Sequence, residues 1–254
     1  MAFIKVSMDA LHADTTLSNY MHHLAEVPLL RQCTPAQRQH LAQHARLEHH
    51  AKGKVLFLSG DRADHFFLVL TGWVKLYRET LDGMQAIVDV LPAGHLFGET
   101  ALFEENVFPF SAEVIEPATL LRLPIAVLSD EISKDPALAL AMLRVMVQYR
   151  RQQDQELEHT KLQSAPQRIG CFLLRLLDQR NQGPFSLNLP YDKTLIASRL
   201  GMQPETFSRA LTRLKDETGI RISGARIEGD AISQLAIYAC GACSSTFPCK
   251  DKAG

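Results

Sequence analysis

Along the chain the spacing of apolar positions changes character twice. Residues 19–47 read as helices: Thr34-Pro35 is an N-cap followed by a first-turn proline, and Leu41, Ala45 and Leu47 form the apolar stripe behind it. From Lys52 to Pro124 short β-rich runs take over, at Val55–Leu58, Phe66–Leu70, Trp73–Tyr77, Gln85–Leu91, Ser111–Ile115 and Thr119–Leu123. Gly, Asp and Pro signals separate them, including Thr71-Gly72, Asp82-Gly83, Pro92-Ala93-Gly94 and Glu116-Pro117. Strands so evenly spaced predict an antiparallel barrel or jelly roll, whose interior can take a small ligand. Asp135-Pro136 then opens a stretch with no Gly or Pro before about Gln163. A helix of about 27 residues spans roughly 40 Å, more than a small domain needs for itself. Its first half is apolar nearly all round, with Leu138, Leu140, Met142, Leu143, Val145, Met146 and Val147. That half must be buried twice, against the roll and against a second copy of itself. The later half, Arg150 to Lys161, is charged.

Ser164-Ala165-Pro166 starts another helix, Gln167–Gln179, with Ile169, Phe172, Leu173, Leu176 and Leu177 facing inward. Asn181-Gln182-Gly183-Pro184 ends it, and Phe185–Leu189 reads as a short strand. Tyr191–Glu217 is the most informative stretch. Leu195, Ile196, Ala197 and Leu200 are the apolar set of a first short helix, which Gly201 stops because glycine enters positive φ without steric cost. Pro204 and Glu205 open a second helix. That helix buries Phe207, Ala210, Leu211 and Leu214 and leaves Glu205, Thr206, Ser208, Arg209, Thr212 and Arg213 outside. Two helices and a turn of this length form the helix-turn-helix that reads the DNA major groove. Arg pairs bidentately with guanine, Glu accepts from cytosine N4, and Ser does either. An amphipathic hairpin in an enzyme is the competing reading. Past Gly219, IRISGARIEG predicts a β-hairpin around Ser223-Gly224, the wing.

Charge separates the two readings. The whole chain carries a formal net charge of −1. Between Thr160 and Glu228 eleven Lys and Arg face six acids, a surplus of five on one segment. A basic module on an acidic body suits a DNA-facing domain. No apolar run reaches the roughly 18 residues of a membrane helix. The N-terminal residues lack the pattern of a signal peptide, so a cytoplasmic protein is expected, with no membrane partner. An odd cysteine count of five argues against a disulfide framework there. The histidines at 22, 23, 40, 44, 49 and 50 are read as solvated or structural.

Three of those cysteines, Cys240, Cys243 and Cys249, form a C-x2-C-x5-C tail. The turn between the first two can direct both sulfurs to one centre, as in iron–sulfur and zinc sites. A fourth ligand is not evident. Cys171, Cys33 and a carboxylate such as Asp154 are the candidates. A tail of spare thiols is the alternative, and a thiol redox enzyme is disfavoured because no thioredoxin-like βαβ unit surrounds the motif.

The order of parts, together with FGETALFEE at Phe97–Glu105, the Asp135-Pro136 helix start, APQRIGCFLLRLL and PETFSRALTRL, resembles the CRP/FNR family of bacterial transcription regulators. The resemblance spans roughly Leu24 to Ala236. It implies an α+β chain in four parts: a β-roll sensor domain with N-terminal helices (19–134), a dimerisation helix (135–163), a winged helix-turn-helix (164–239) and a cysteine-rich tail (240–254). It implies a homodimer through 136–162 on double-stranded DNA, a TTGAT…ATCAA target and RNA polymerase as partner, not an enzyme. Glu205, Ser208 and Arg209 match the reading helix of the oxygen- and nitric-oxide-responsive branch, with Arg213 and Lys215 as phosphate anchors. Members that bind cyclic AMP hold its phosphate with an Arg just before Ser-Ala. Here Gly98, Glu99, Ser111 and Ala112 are kept, but Phe110 stands in the place of the Arg. Gln153 and Asp154 replace the Thr-Ser pair that meets adenine. A buried phosphate without a cation or backbone cradle loses its hydration uncompensated, so no cyclic AMP is expected. The resemblance instead implies an iron–sulfur cluster on the tail. The rival is haem held near His95, in a pocket made apolar by Phe97, Phe103, Phe108 and Phe110.

Overall fold

The computed structural model describes residues 17–177, 183–189 and 191–244. They divide into two compact units, one ending at Gln148 and one beginning at Tyr149, within the long helix. The first unit opens with α1 (Leu17–Glu26) and α2 (Pro35–Gln43). Thr34 caps α2 in a capping box: its backbone N–H donates to Gln37 Oε1 at 2.7 Å, and its Oγ1 accepts from the Gln37 N–H at 3.3 Å.

The expectation of helix to residue 47 fails at its end, because Arg46–His50 is a strand, β1. Its sequence lacks apolar alternation. Pairing with a later strand decides its state, in the register Arg46↔Arg122 to His50↔Ala118. There follow β2 (Val55–Phe57), β3 (His65–Glu79), β4 (Gln85–Leu91), β5 (Leu96–Phe97) and β6 (Ser111–Pro124). The sheet order is β1-β6-β3-β4, with β2 added to β6 and β5 to β3, all antiparallel.

Two expected breaks are absent. Thr71-Gly72 and Glu116-Pro117 do not end strands; they lie opposite each other inside β3 and β6, where the register shifts between Thr71↔Thr119 and Trp73↔Glu116. Gly72 takes φ +82°, and a Cβ there would come within 2.6 Å of Ala118 Cα. The punctuation thus marks a paired bulge that bends two long strands, not a turn. Phe66, Leu68, Val69, Leu120 and Leu121 are wholly buried at the centre of the roll. Each contributes about 1.5–3 kcal/mol by leaving water.

Helix α3 (Ile125–Lys134), which the apolar pattern did not reveal, packs Ile125 and Leu128 into the roll core. The long helix α4 is Pro136–Leu162, as expected. Leu138, Ala141 and Met142 are buried, while Leu140, Leu143, Met146 and Val147 are exposed. The helix therefore carries two apolar faces, one of them covered by the roll.

The second unit contains α5 (Ala165–Leu176), β7 (Phe185–Asn188), α6 (Lys193–Arg199), α7 (Pro204–Thr218), β8 (Arg221–Ser223), β9 (Arg226–Gly229) and α8 (Ile232–Cys240). The wing forms as predicted, and β7 joins it in the order β7-β9-β8. Helix α8 was not foreseen. It buries Ile232, Leu235, Ala236 and Ala239. The predicted end of the helix over 167–179 lies partly outside the described residues.

Candidate nucleic-acid interface and sensor sites

The sequence of α6 and α7 sets their geometry. Asp192 caps α6 by accepting from the Leu195 N–H at 2.9 Å. Gly201 takes φ +64°, and the chain re-enters helix at Pro204. Phe207, Ala210, Leu211 and Leu214 are all buried, and Glu205, Thr206, Ser208, Arg209, Arg213 and Lys215 are all exposed. One side of α7 is thus fixed by packing and the other is open along its length. Arg209 Nε donates to the Glu205 carbonyl at 3.4 Å, and Thr212 Oγ1 donates to the Ser208 carbonyl at 3.1 Å. Arg213 stands 3.9 Å from Glu217. Among the described residues neither Arg209 nor Lys215 has a carboxylate within ion-pair distance. Both cations are available to an anionic ligand.

Other cations of the basic segment are engaged within the unit. Glu156, near the end of α4, accepts from Arg199 of α6 at 2.7 Å and 3.3 Å and from Arg175 of α5 at 3.5 Å. Burial pushes the Glu156 carboxyl up, but the Arg199 hydrogen bond and the two guanidinium charges outweigh it and hold the group below its ordinary value. This fork ties the first helix of the helix-turn-helix to the helix that precedes it. The spacing along the sequence contains no trace of it, since Glu156 and Arg199 are separated by 43 positions.

The predicted effector residues lie in the roll. Gly98 is a left-handed N-cap to a short turn that holds Glu99. Glu99 is buried, its Oε2 has no partner, and burial raises its carboxyl above the ordinary value. His95 Nδ1 is likewise buried without a partner. Phe108 is the ring beside Gly98, 3.0 Å from where a Cβ on that glycine would lie. Phe57 stacks on Phe108 at 3.6 Å between centroids, and Phe67 stacks on Phe97 at 5.1 Å. Phe110 lies under the Arg78 guanidinium at 4.9 Å, and Phe103 is over half exposed, so neither continues the aromatic lining. Of two cavities, one of about 530 Å³ is lined by His44, His65 and Arg122, and one of about 350 Å³ lies against the ring cluster itself, lined by Phe57, Phe67 and Phe108 together with His50, Lys54 and Arg62.

Two of the three tail cysteines are described. Cys240 ends α8, and the Cys243 N–H donates to the Cys240 carbonyl at 3.2 Å. Cys249 lies outside the described residues. Of the suggested fourth ligands, Asp154 accepts from Arg150 Nε at 3.0 Å. Cys33 is buried, which pushes its thiol up to about 11 and away from the thiolate form. Cys171 Sγ lies 4.0 Å from His159 Nδ1. The imidazole that sequence reasoning passed over, His159, has its other nitrogen 3.4 Å from Cys243 Sγ. Burial, first, and the Arg175 charge lower its basicity. Among the described residues no three His, Cys, Asp or Glu side chains yet surround one point.

A β-roll, a long helix with an exposed apolar stripe and a winged helix-turn-helix with cations on its outer face are the parts of a DNA-binding protein. Two families match in the same order: the cyclic nucleotide-binding domain over residues 47–135 and the Crp-like helix-turn-helix domain over residues 167–236. The fumarate and nitrate reduction regulatory protein of Escherichia coli K12 is 30% identical over 73% of this chain and 76% of its own length. The cyclic AMP receptor protein of Thermus thermophilus is 28% identical over 79% of this chain and 91% of its own. The structure of FixK2 from Bradyrhizobium japonicum has the same fold, with a TM-score of 0.66, 23% identity and coverage of 76% of this chain and 96% of that one. The chain belongs to the CRP/FNR family of transcription regulators.

Proposed function

We propose that the protein binds double-stranded DNA as a homodimer and reads a two-fold site of the TTGAT…ATCAA type with Glu205, Thr206, Ser208 and Arg209. Arg213 and Lys215 anchor phosphates, and RNA polymerase is the partner it recruits or blocks. The observation that carries this reading is α7. Its polar face is open and its apolar face is fully packed, so the reading side chains stand on a rigid base. The exposed stripe of Leu140, Leu143 and Val147 supports dimerisation through 136–162.

The signal is redox or gas, received at a thiolate-bound metal centre on Cys240, Cys243 and Cys249, of which an iron–sulfur cluster is the leading form. Cyclic AMP is not the trigger, because no Arg precedes Ser111 to meet its phosphate. Mobility shifts on a TTGAT palindrome, with reduced and oxidised protein, test the first part. A shift under neither condition would sink it. Visible spectra of anaerobically purified protein test the second. A broad band bleached by air supports the cluster, and a Soret band places the signal on haem near His95.

A further inference from the structure

Two arginines oppose each other across β1 and β6, and the cavity they line has no acid in its wall. We propose that this cavity, of about 530 Å³, is a small-molecule site of the roll that takes a hydroxyl-bearing phosphate monoester.

Arg46 of β1 is the direct partner of Arg122 of β6. Directly opposed residues of an antiparallel pair carry their side chains on the same face, and like charges placed so weaken the pairing. A neutral residue at either position would remove the repulsion. Arg122 is partly compensated. Its guanidinium stands 3.4 Å from Glu48 Oε1, 3.9 Å from Asp64 Oδ1 and 2.8 Å from His65 Nδ1, and these contacts hold it in place. Arg46 is exposed, and among the described residues no carboxylate lies within ion-pair distance of it.

Both arginines line the cavity, with Gln43, His44, His65 and two apolar residues, whereas Glu48 and Asp64 do not. Neither His95, Gly98 nor Glu99 is among the lining residues, so the cavity is distinct from the effector positions described above. His44 Nδ1 donates to the His40 carbonyl at 2.9 Å. With the proton there, Nε2 of the neutral ring accepts a hydrogen bond, which suits a hydroxyl group.

These donors select the ligand. Each guanidinium offers a planar fork, and two forks need more than the two oxygens of a carboxylate. A phosphate monoester has three terminal oxygens and close to two negative charges at neutral pH, so it can meet both forks and offset the repulsion between them. The volume falls within the range of small-molecule sites, which leaves room for an organic part.

Calorimetry and thermal unfolding of the full-length protein in chloride buffer test the site, with glycerol 3-phosphate as probe and inorganic phosphate and malonate as comparisons. Wild type is expected to bind the monoester saturably, about tenfold tighter than inorganic phosphate for the added hydroxyl contact, and to melt higher in its presence. Malonate should not bind. Arg46→Ala should weaken binding by about 10–100-fold, the effect of losing one charge-assisted fork. Without ligand it should melt no lower than wild type, because the repulsion is gone, and the monoester should no longer raise its melting temperature. A folding defect would lower the first of these figures. Arg46→Lys keeps the charge without the fork and should fall between wild type and Arg46→Ala. Four results overturn the proposal. One is the absence of saturation by about 10 mM monoester, an affinity too weak for a site. The second is malonate or inorganic phosphate binding as tightly as the monoester. The third is binding unchanged in Arg46→Ala and lost in the double variant Arg209→Ala, Lys215→Ala, which puts the phosphate on the face of α7. The fourth is an Arg46→Ala protein that melts well below wild type without ligand, which shows that the chain itself already satisfies that guanidinium.

Discussion

In the roll, Phe57 stacks on Phe108 and Phe67 on Phe97, and among the described residues the buried Glu99 Oε2 and His95 Nδ1 have no hydrogen-bond partner. In the helix-turn-helix, Phe207 is buried beneath α7 and every polar side chain of the predicted reading set is exposed. Both regions belong to matched families, one for cyclic nucleotides and one for DNA. The first keeps the scaffold of a binding site without an Arg before Ser111. The second leaves the polar face of α7 exposed. A family match therefore carries binding chemistry only where the side chains that perform it are present and accessible.

Four substitutions probe that contrast, in falling order of effect. Phe108→Ala removes one half of the closest ring stack. It should destabilise the roll by about 3–5 kcal/mol in denaturant unfolding. It should still not create cyclic AMP binding by calorimetry, since no cation is gained; tight binding by this variant would mean that the rings alone had blocked the site. Arg209→Ala should cost about 1–3 kcal/mol of specific binding, roughly 10–100-fold in mobility shifts, and relax base preference at one position with thermal stability unchanged.

Glu99→Gln tests the stranded carboxyl. Its native value lies above the ordinary 4.5, so the stability it allows is fully present below pH 4.5 and is lost as pH rises through the native value. The amide cannot ionise, so the variant should be the more stable at neutral pH, by no more than the ~1–3 kcal/mol of a buried unsatisfied group. Melting temperatures compared on either side of neutrality check the sign; a variant less stable at pH 8 would mean that Glu99 has a partner when ionised. Lys215→Ala has the smallest expected effect. It should weaken all DNA sequences alike and lower the slope of log affinity against log salt by about 1.

Glu156 adds a pH window of the opposite sign. Its native value is depressed, so its contribution to the helix-turn-helix unit is present above pH 4.5 and lost as acid takes the carboxyl through its native value. Unfolding of that unit should become easier in acid in wild type, and less so in Glu156→Gln.

Much of this was legible in one dimension because it repeats with a period. The 3.6-residue stripe through Phe207, Ala210, Leu211 and Leu214, the cap at Thr34 and the uninterrupted run of α4 each depend on neighbours a few positions away. Local terms suffice to determine them. Strand β1 was misread because its state depends on pairing with β6, some 70 residues distant. Thr71-Gly72 and Glu116-Pro117 look like turns singly, and only their opposition in the sheet makes them a bulge. The sequence by itself determined the long helix, the wing and the buried and exposed faces of α7, since periodicity and caps are properties of short segments. Tertiary structure alone decided that Phe57 stacks on Phe108 and Phe67 on Phe97, that Glu156 holds Arg199, and that His159 meets Cys243 across 84 positions, because packing and long-range contacts leave no period to read.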